Sequence, residues 1–430
     1  MSIDRRRFAG LLTGLIGGAA LPLDRRFAQQ VSDPDPCDLP APVKALAPMT
    51  ARVVPIGDAE RQARMARARH LMGEQGIGAL LLEPGTSMEY FTGVSWWPSE
   101  RPFVAVMPAQ GPLVYVCPGF EEARARQLIR FTTDVRVWQE DESPYRVIAG
   151  TLTDLGLATG RVGIEERLRF FVLNGVRSEA PAVEFTEAVG VTAGCRLFKS
   201  PAELALMQRA NDITLAAFQA TFQTFRPGMT QQDLADIQEA ALLRLGGRDP
   251  WVLVGFGEAS AFPHGSAVPQ QLREGDIVLM DSGCMVEGYQ ADITRTTVFG
   301  KPTPRQTEIW NLERRAQDAA FAAAQVGATC ESVDAAARKV LTDAGFGPGY
   351  RVPGLPHRTG HGIGMDGHEW SNFVKGNTTR IQPGMCFSDE PTIVIYGEFG
   401  IRLEDCLYIT DTGPRFFSPQ SPAIDQPFGR

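Results

Sequence analysis

Two carboxylates set inside apolar sequence put the strongest limit on how this chain can fold. Residues 277–280 form an apolar run that ends at Asp281, Gly288 marks a turn, and a second run returns through Asp292 to Val298. In an antiparallel hairpin of this kind the two Asp fall on one face, within a residue of facing each other. Facing carboxylates repel, so a cation or a shared proton has to offset them. The device recurs downstream. Residues 385–389 lead to Glu390, a turn spans 397–400, and the return over 401–410 brings Glu404 opposite the Glu390 region. Burying four acids without cations would be very costly.

The histidines follow the same map. The chain has five, and His264, His357, His361 and His368 all fall in this half. His70, on a basic helix, is assigned no chemistry. His361 sits between glycines in GHGIG, which leaves room for a substrate to approach. Four His around four acids point to a metal or acid–base site. Asp281, Asp292, His361, Glu390 and Glu404 are the candidate ligands. A set without thiolate favours hard or borderline ions with five or six ligands each: Mn²⁺ first, then Co²⁺, Fe²⁺ or Zn²⁺. Two such ions sharing carboxylates can clamp a water between them.

The remaining sequence sets the frame. With 430 residues, two domains are expected, and a net charge of −8 without a basic stripe beyond the first thirty residues excludes a nucleic-acid surface. Residues 1–28 carry Arg5, Arg6 and Arg7 ahead of a glycine-rich apolar run too short to span a membrane stably, and DRRRFAGLL resembles a twin-arginine export signal. An exported, periplasmic protein is the expectation. Residues 29–56 are rich in Pro and Asp and are expected to form a linker or arm without a regular element. Residues 57–192 alternate helix and strand and read as an α/β domain, with Asp58 capping its first helix and Gly76 ending it. The loop SWWPSERPF, residues 95–103, is a candidate pocket wall. From 196 to 420, long helices and antiparallel strands come in separate runs, so the second domain reads as α+β. Seven cysteines form no CxxC pair and are expected to be buried free thiols.

The order Asp-x10-Asp, His, Glu, Glu, carried by DITRT, TGHGIG and RLED, resembles the pita-bread metallopeptidases: Xaa-Pro aminopeptidases, prolidases, methionine aminopeptidases and creatinase. The likeness is strong over 201–410, and the first domain is more loosely similar to the creatinase type. The resemblance implies a C-terminal pita-bread domain behind a smaller α/β creatinase-like domain. It implies that Asp281 chelates one metal, that Asp292 and Glu404 bridge two, and that His361 and Glu390 complete the second, with Glu390 also taking a proton from the attacking water. His264 and His368 align with histidines that hydrogen-bond the scissile carbonyl or the tetrahedral intermediate. His357 matches the proline-specific branch and Arg402 is placed to orient Glu404, and both are expected, with His264, His368 and Glu390, among the catalytic residues. DEPT stands where the family commonly has IEPG, so Thr392 replaces a glycine. The implied activity is removal of the first residue from Xaa-Pro peptides, with Trp96, Trp97 and Tyr289 as candidate walls for proline and a homodimer as the expected assembly. A prolidase restricted to dipeptides, a non-peptidase amidohydrolase or lyase, and a binding protein on a dead domain are the alternatives.

Overall fold

The computed structural model describes residues 39–429. The expected export signal at 1–28 and the start of the Pro-rich arm lie outside them. The described end of the arm is more ordered than its composition suggests. Pro40 and the proline in the first turn pre-set helical φ values for the short helix Ala41–Lys44. The segment then docks on the helix Gln231–Leu245, where the Met49 amide donates to Leu245 O (2.8 Å) and Arg244 Nη2 donates to Lys44 O (2.9 Å).

The first domain opens with the helix Asp58–Gln75, closed by Gly76 in the left-handed region. Gly57, not Asp58, takes its N-cap position. The Asp58 carboxylate is drawn instead to Arg130 at 2.9 Å. Six strands form one mixed sheet in the order Val135–Trp138, Val114–Pro118, Val104–Pro108, Ala79–Leu82, Arg161–Ile164, Glu184–Glu187. The three innermost apolar strands, from 79 to 118, are buried on both faces, which explains their continuous rather than alternating hydrophobicity. Helices cover each side, with a hydrophobic core on either face.

The second domain begins with two helices, Pro201–Phe222 and Gln231–Leu245, each started by a reciprocal capping box (Ser200 with Glu203, Thr230 with Asp233). Its strands are antiparallel. One sheet runs Ile293–Val298, Ile277–Val286, Arg248–Phe256, and a second runs Glu369–Phe373, Gly360–Gly362, Cys386–Asp389, Asp405–Thr410, Gly413–Phe416. The helices Pro304–Ala323 and Cys330–Asp343 pack on the second sheet through a core that includes Trp310, Phe373 and Phe387.

A buried polar cluster joins the domains. Arg64 of the first helix donates to the Tyr289 hydroxyl (2.9 Å), and that hydroxyl donates to Glu203 (2.8 Å). Tyr289 is therefore a buried inter-domain contact and not a pocket wall. All six described cysteines are free and buried.

Candidate metal centre

The first hairpin turns through Glu287 and Gly288, both at positive φ (48° and 83°), the two-residue turn that matches strand twist. This turn is centred one residue beyond the midpoint between the two Asp. Asp281 consequently pairs with Thr294, and Asp292 lies diagonally, two places off register on the same face. At Gly283 the chain needs a glycine, because a Cβ would sit 1.9 Å from Ala291 O. In the second hairpin, Asp389 pairs with Asp405 on one side of a break and Thr392 with Arg402 on the other. That common register puts Glu390 opposite Glu404.

The two hairpins are stitched together through Thr294 and Glu404. The amides of Thr294 and Glu404 donate to each other's carbonyls at 3.3 and 3.2 Å, and the Thr294 hydroxyl donates to Glu404 Oε2 at 2.7 Å. Arg295, fully buried on the opposite face, donates to Glu404 O (2.9 Å) and Asp405 Oδ1 (2.7 Å). The DITRT sequence thus supplies the Asp of the site and the stitching behind it.

One cavity of about 570 Å³ gathers all nine residues expected at the site: His264, Asp281, Asp292, His357, His361, His368, Glu390, Arg402 and Glu404. Trp251, Leu253, Pro263 and Arg358 complete much of its wall. A larger cavity of about 640 Å³, beside Thr86, Trp96 and Arg248, contains none of the nine. Trp251 and Leu253 lie two apart on one strand, opposite Gly283 and Asp281, so both project beside Asp281. These residues, and not Trp96 or Trp97, supply the apolar wall. Trp96 stacks on Phe103 with ring centroids 4.4 Å apart, and Trp97 is 81% exposed.

The polar groups fit divalent cations. His361 Nδ1 lies 3.0 Å from Gly362 O; a carbonyl only accepts, so Nδ1 carries the proton. The bare Nε2 faces Glu390 Oε1 at 3.3 Å and Asp292 Oδ2 at 3.6 Å. Burial holds the imidazole well below its ordinary pKa, so a proton does not reconcile these acceptors. Asp281 Oδ1 and Asp292 Oδ1 are buried without a hydrogen-bond partner among the described residues. Asp292, His361 and Glu404 offer ligand atoms within 4.8 Å of one another. Burial, reinforced by mutual repulsion, raises Asp292 and Glu404 well above the carboxylate range; burial also pushes Glu390 up to about 7. A cation removes that conflict.

Neighbours orient the five. The Ser388 hydroxyl accepts from the His361 amide (3.0 Å) and donates to Glu390 Oε1 (3.1 Å). Arg402 contacts Asp281 directly, donates through Nε to the Thr294 hydroxyl (3.0 Å), and lies 3.8 Å from Glu404. Its direct ion pair is with Asp281, and it reaches Glu404 through Thr294. Its Nη1 also donates to Pro263 O, holding the segment that carries His264 (3.0 Å).

His357 differs from expectation. Its Nδ1 donates to Arg358 O (2.7 Å), and its Nε2 accepts from the Thr392 hydroxyl (3.0 Å). Burial and then Arg402 push its pKa down to about 4. It is neutral with both ring nitrogens engaged, so it shapes the wall instead of reacting. His368 packs on His361, ring centroids 4.0 Å apart, and its Nδ1 accepts from Arg358 Nη2 at 3.1 Å. The proton of neutral His368 is thereby placed on Nε2. The sequence reading missed Arg358, although it adjoins His357 in HRTGHG, and missed Ser388 and Thr294, whose roles depend on partners distant in the chain. Cys284 is turned away toward Thr214 at 3.6 Å.

A floor of four carboxylates and an imidazole, with unpartnered acceptors directed inward, defines the centre of a metal-dependent hydrolase. Residues 205–411 match the model of Metallopeptidase family M24, and residues 64–198 match the Creatinase/Prolidase N-terminal domain. An uncharacterized peptidase of Schizosaccharomyces pombe is 35% identical over 90% of this chain and 88% of its own length. The Xaa-Pro dipeptidase of Lactobacillus helveticus is 34% identical over 77% of this chain and 90% of its own. The crystal structure of dipeptidase PepE from Mycobacterium ulcerans superposes with a TM-score of 0.80 at 30% identity, covering 88% of this chain and all of that one. The chain belongs to metallopeptidase family M24, with the pita-bread catalytic domain behind a creatinase-type N-terminal domain.

Proposed function

We propose that the protein hydrolyses Xaa-Pro dipeptides, using two divalent cations held by Asp281, Asp292, His361, Glu390 and Glu404. The dipeptide reading replaces the expected aminopeptidase preference on one observation, the guanidinium of Arg358. Arg402, the other cation of the cavity, is committed to Asp281. Arg358 is partly exposed and has no acid within ion-pair range among the described residues. A dipeptide presents its C-terminal carboxylate to such a group, whereas a longer peptide presents a neutral amide. The names of the relatives support the same choice.

When bound, the cations supply Lewis acidity and a water activated near neutral pH. The protein does the rest. Glu390 Oε1 is fixed by Ser388, leaving Oε2 to accept the proton of the attacking water. His368 Nε2–H donates to the carbonyl oxygen as it gains charge, with His264 on the same rim. Trp251, Leu253 and Pro263 provide an apolar wall suited to a proline ring. Mn²⁺ is the proposed metal, because the ligands are carboxylates and one imidazole.

Ala-Pro, Ala-Pro-Gly and Ala-Pro-amide offered in parallel test the reading. Ala-Pro is expected to be cleaved best. Arg358→Met should raise KM for Ala-Pro by roughly 10–100-fold without a comparable rise for Ala-Pro-amide, as for loss of a charged hydrogen bond, while loss of its bond to His368 Nδ1 lowers kcat on both substrates alike. Equal rates on all three substrates would overturn dipeptide selectivity. Export through residues 1–28 and assembly as a homodimer are further proposals, to be checked by cell fractionation and by solution mass.

A further inference from the structure

Among the described residues none before Trp251 lines the metal cavity, yet three side chains of the first domain converge on the loop that carries His368. His361 and His368 are joined by a hairpin loop between the strands Gly360–Gly362 and Glu369–Phe373. Asp366 lies within that loop. Its Oδ1 accepts from the Thr86 hydroxyl (2.7 Å) and Arg167 Nη1 (3.0 Å), and its Oδ2 accepts from Arg196 Nη1 (3.2 Å). The main chain is held as firmly: the Met365 and Asp366 amides donate to Glu369 Oε1 at 3.1 and 3.2 Å, while Glu369 Oε2 takes the buried Lys199 ammonium at 2.8 Å. Gly364 O accepts from the Gln290 amide at the tip of the first hairpin (2.8 Å). The loop is pinned on both sides, and His368 is two residues past Asp366, exposed at the cavity rim.

We infer that Asp366 is a positioning residue through which the N-terminal domain sets the orientation of His368. Simple adhesion between domains does not require this arrangement, because the buried Arg64–Tyr289–Glu203 cluster already joins them elsewhere. Three donors on one carboxylate fix a loop more narrowly than one ion pair. What they fix is the segment bearing the imidazole that donates to the developing charge. This assignment rests on the role proposed for His368 above. Loss of alignment at a donor to developing charge lowers kcat and leaves substrate binding alone.

The test uses Asp366→Asn, Arg167→Met and Arg167→Lys in the full chain. Arg167 is 56% exposed, so its variants fold independently of any core defect. With Ala-Pro as substrate, Asp366→Asn should lower kcat roughly 10–100-fold with KM within about twofold, Arg167→Met should lower it less, and Arg167→Lys should recover it. The histidine ring signals of the substrate-free protein loaded with diamagnetic Zn²⁺ give the second readout, assigned through His368→Gln. The His368 signal should shift or broaden in Asp366→Asn and Arg167→Met and return in Arg167→Lys, while that of His70 stays fixed. A fall in kcat with the His368 signal unmoved overturns the inference, as does a moved signal with kcat intact. A wild-type protein inactive on every Xaa-Pro dipeptide would instead sink the functional reading, and the ring signals alone would then decide the positioning role.

Discussion

His357 and His361 stand four residues apart, and their environments set them opposite tasks. Each places its proton on Nδ1 through a backbone carbonyl, but Nε2 of His357 is taken by Thr392 and Nε2 of His361 is left facing acids. One is a finished wall residue and the other an open ligand. For Asp292→Asn, metal analysis should show loss of bound cation, and dipeptide cleavage should fall by at least ~100-fold; full metal content with an intact rate would rule out the proposed ligand set. The five ligand candidates were readable in the sequence, because acids and a histidine in apolar runs are costly anywhere else, and the family resemblance brought in His264, His357 and His368. Their division of labour was not. The occupation of His357 Nε2 depends on Thr392, 35 residues away, and the ion pair of Arg402 on Asp281, 121 residues away. Neither contact leaves a local pattern.

The hairpins show what register adds to pattern. Two runs flanking Gly288 were enough to predict a hairpin, but the turn lies at Glu287–Gly288, which moves Asp292 to a diagonal position. At this scale Gly283 is the sensitive point. Gly283→Ala would force a methyl into Ala291 O, so the strands must part beside both Asp. A loss of about 1–3 kcal/mol in stability is expected from such overpacking. Denaturant unfolding and metal stoichiometry measured on one preparation would check it, and an unchanged midpoint with full metal content would show that the strands yield freely. The capping signals of the two helices that open the second domain were legible for a local reason: Ser200 and Thr230 each have the N3 partner within three residues. Asp58 was misread as a cap because its competitor, Arg130, comes from a distant segment.

Across the molecule, buried acids outside the metal site also shape stability. Glu165, at the inter-domain side of the first sheet, is pushed up to about 7 by burial, although the Glu83 amide donates to it at 2.6 Å. Its folded pKa lies above the unfolded carboxylate value near 4.3, so the folded state retains a proton that the unfolded state has lost. Its contribution is fully present below about pH 4 and declines as pH rises toward and through 7. In the metal-loaded protein, urea stability should therefore fall between pH 5 and 8 by on the order of 1–3 kcal/mol from this group, and Glu165→Gln should flatten that slope. A slope unchanged in the variant would assign the effect elsewhere. The division into an α/β and an α+β domain was legible from the order of elements. The polar clusters that join the two domains were not, since each draws its members from both halves of the chain.

The reciprocal amide pair between Thr294 and Glu404 also bears on the order of assembly. Its members are 110 residues apart, so one ribbon is synthesised long before the other. Each half presents acids without the other half's, and neither alone is a competent chelator. Closing so long a loop belongs to the late, non-local part of folding. The chain acquires its chemistry only once its topology is complete, so a newly made or truncated molecule is expected to lack hydrolase activity until that clasp has shut.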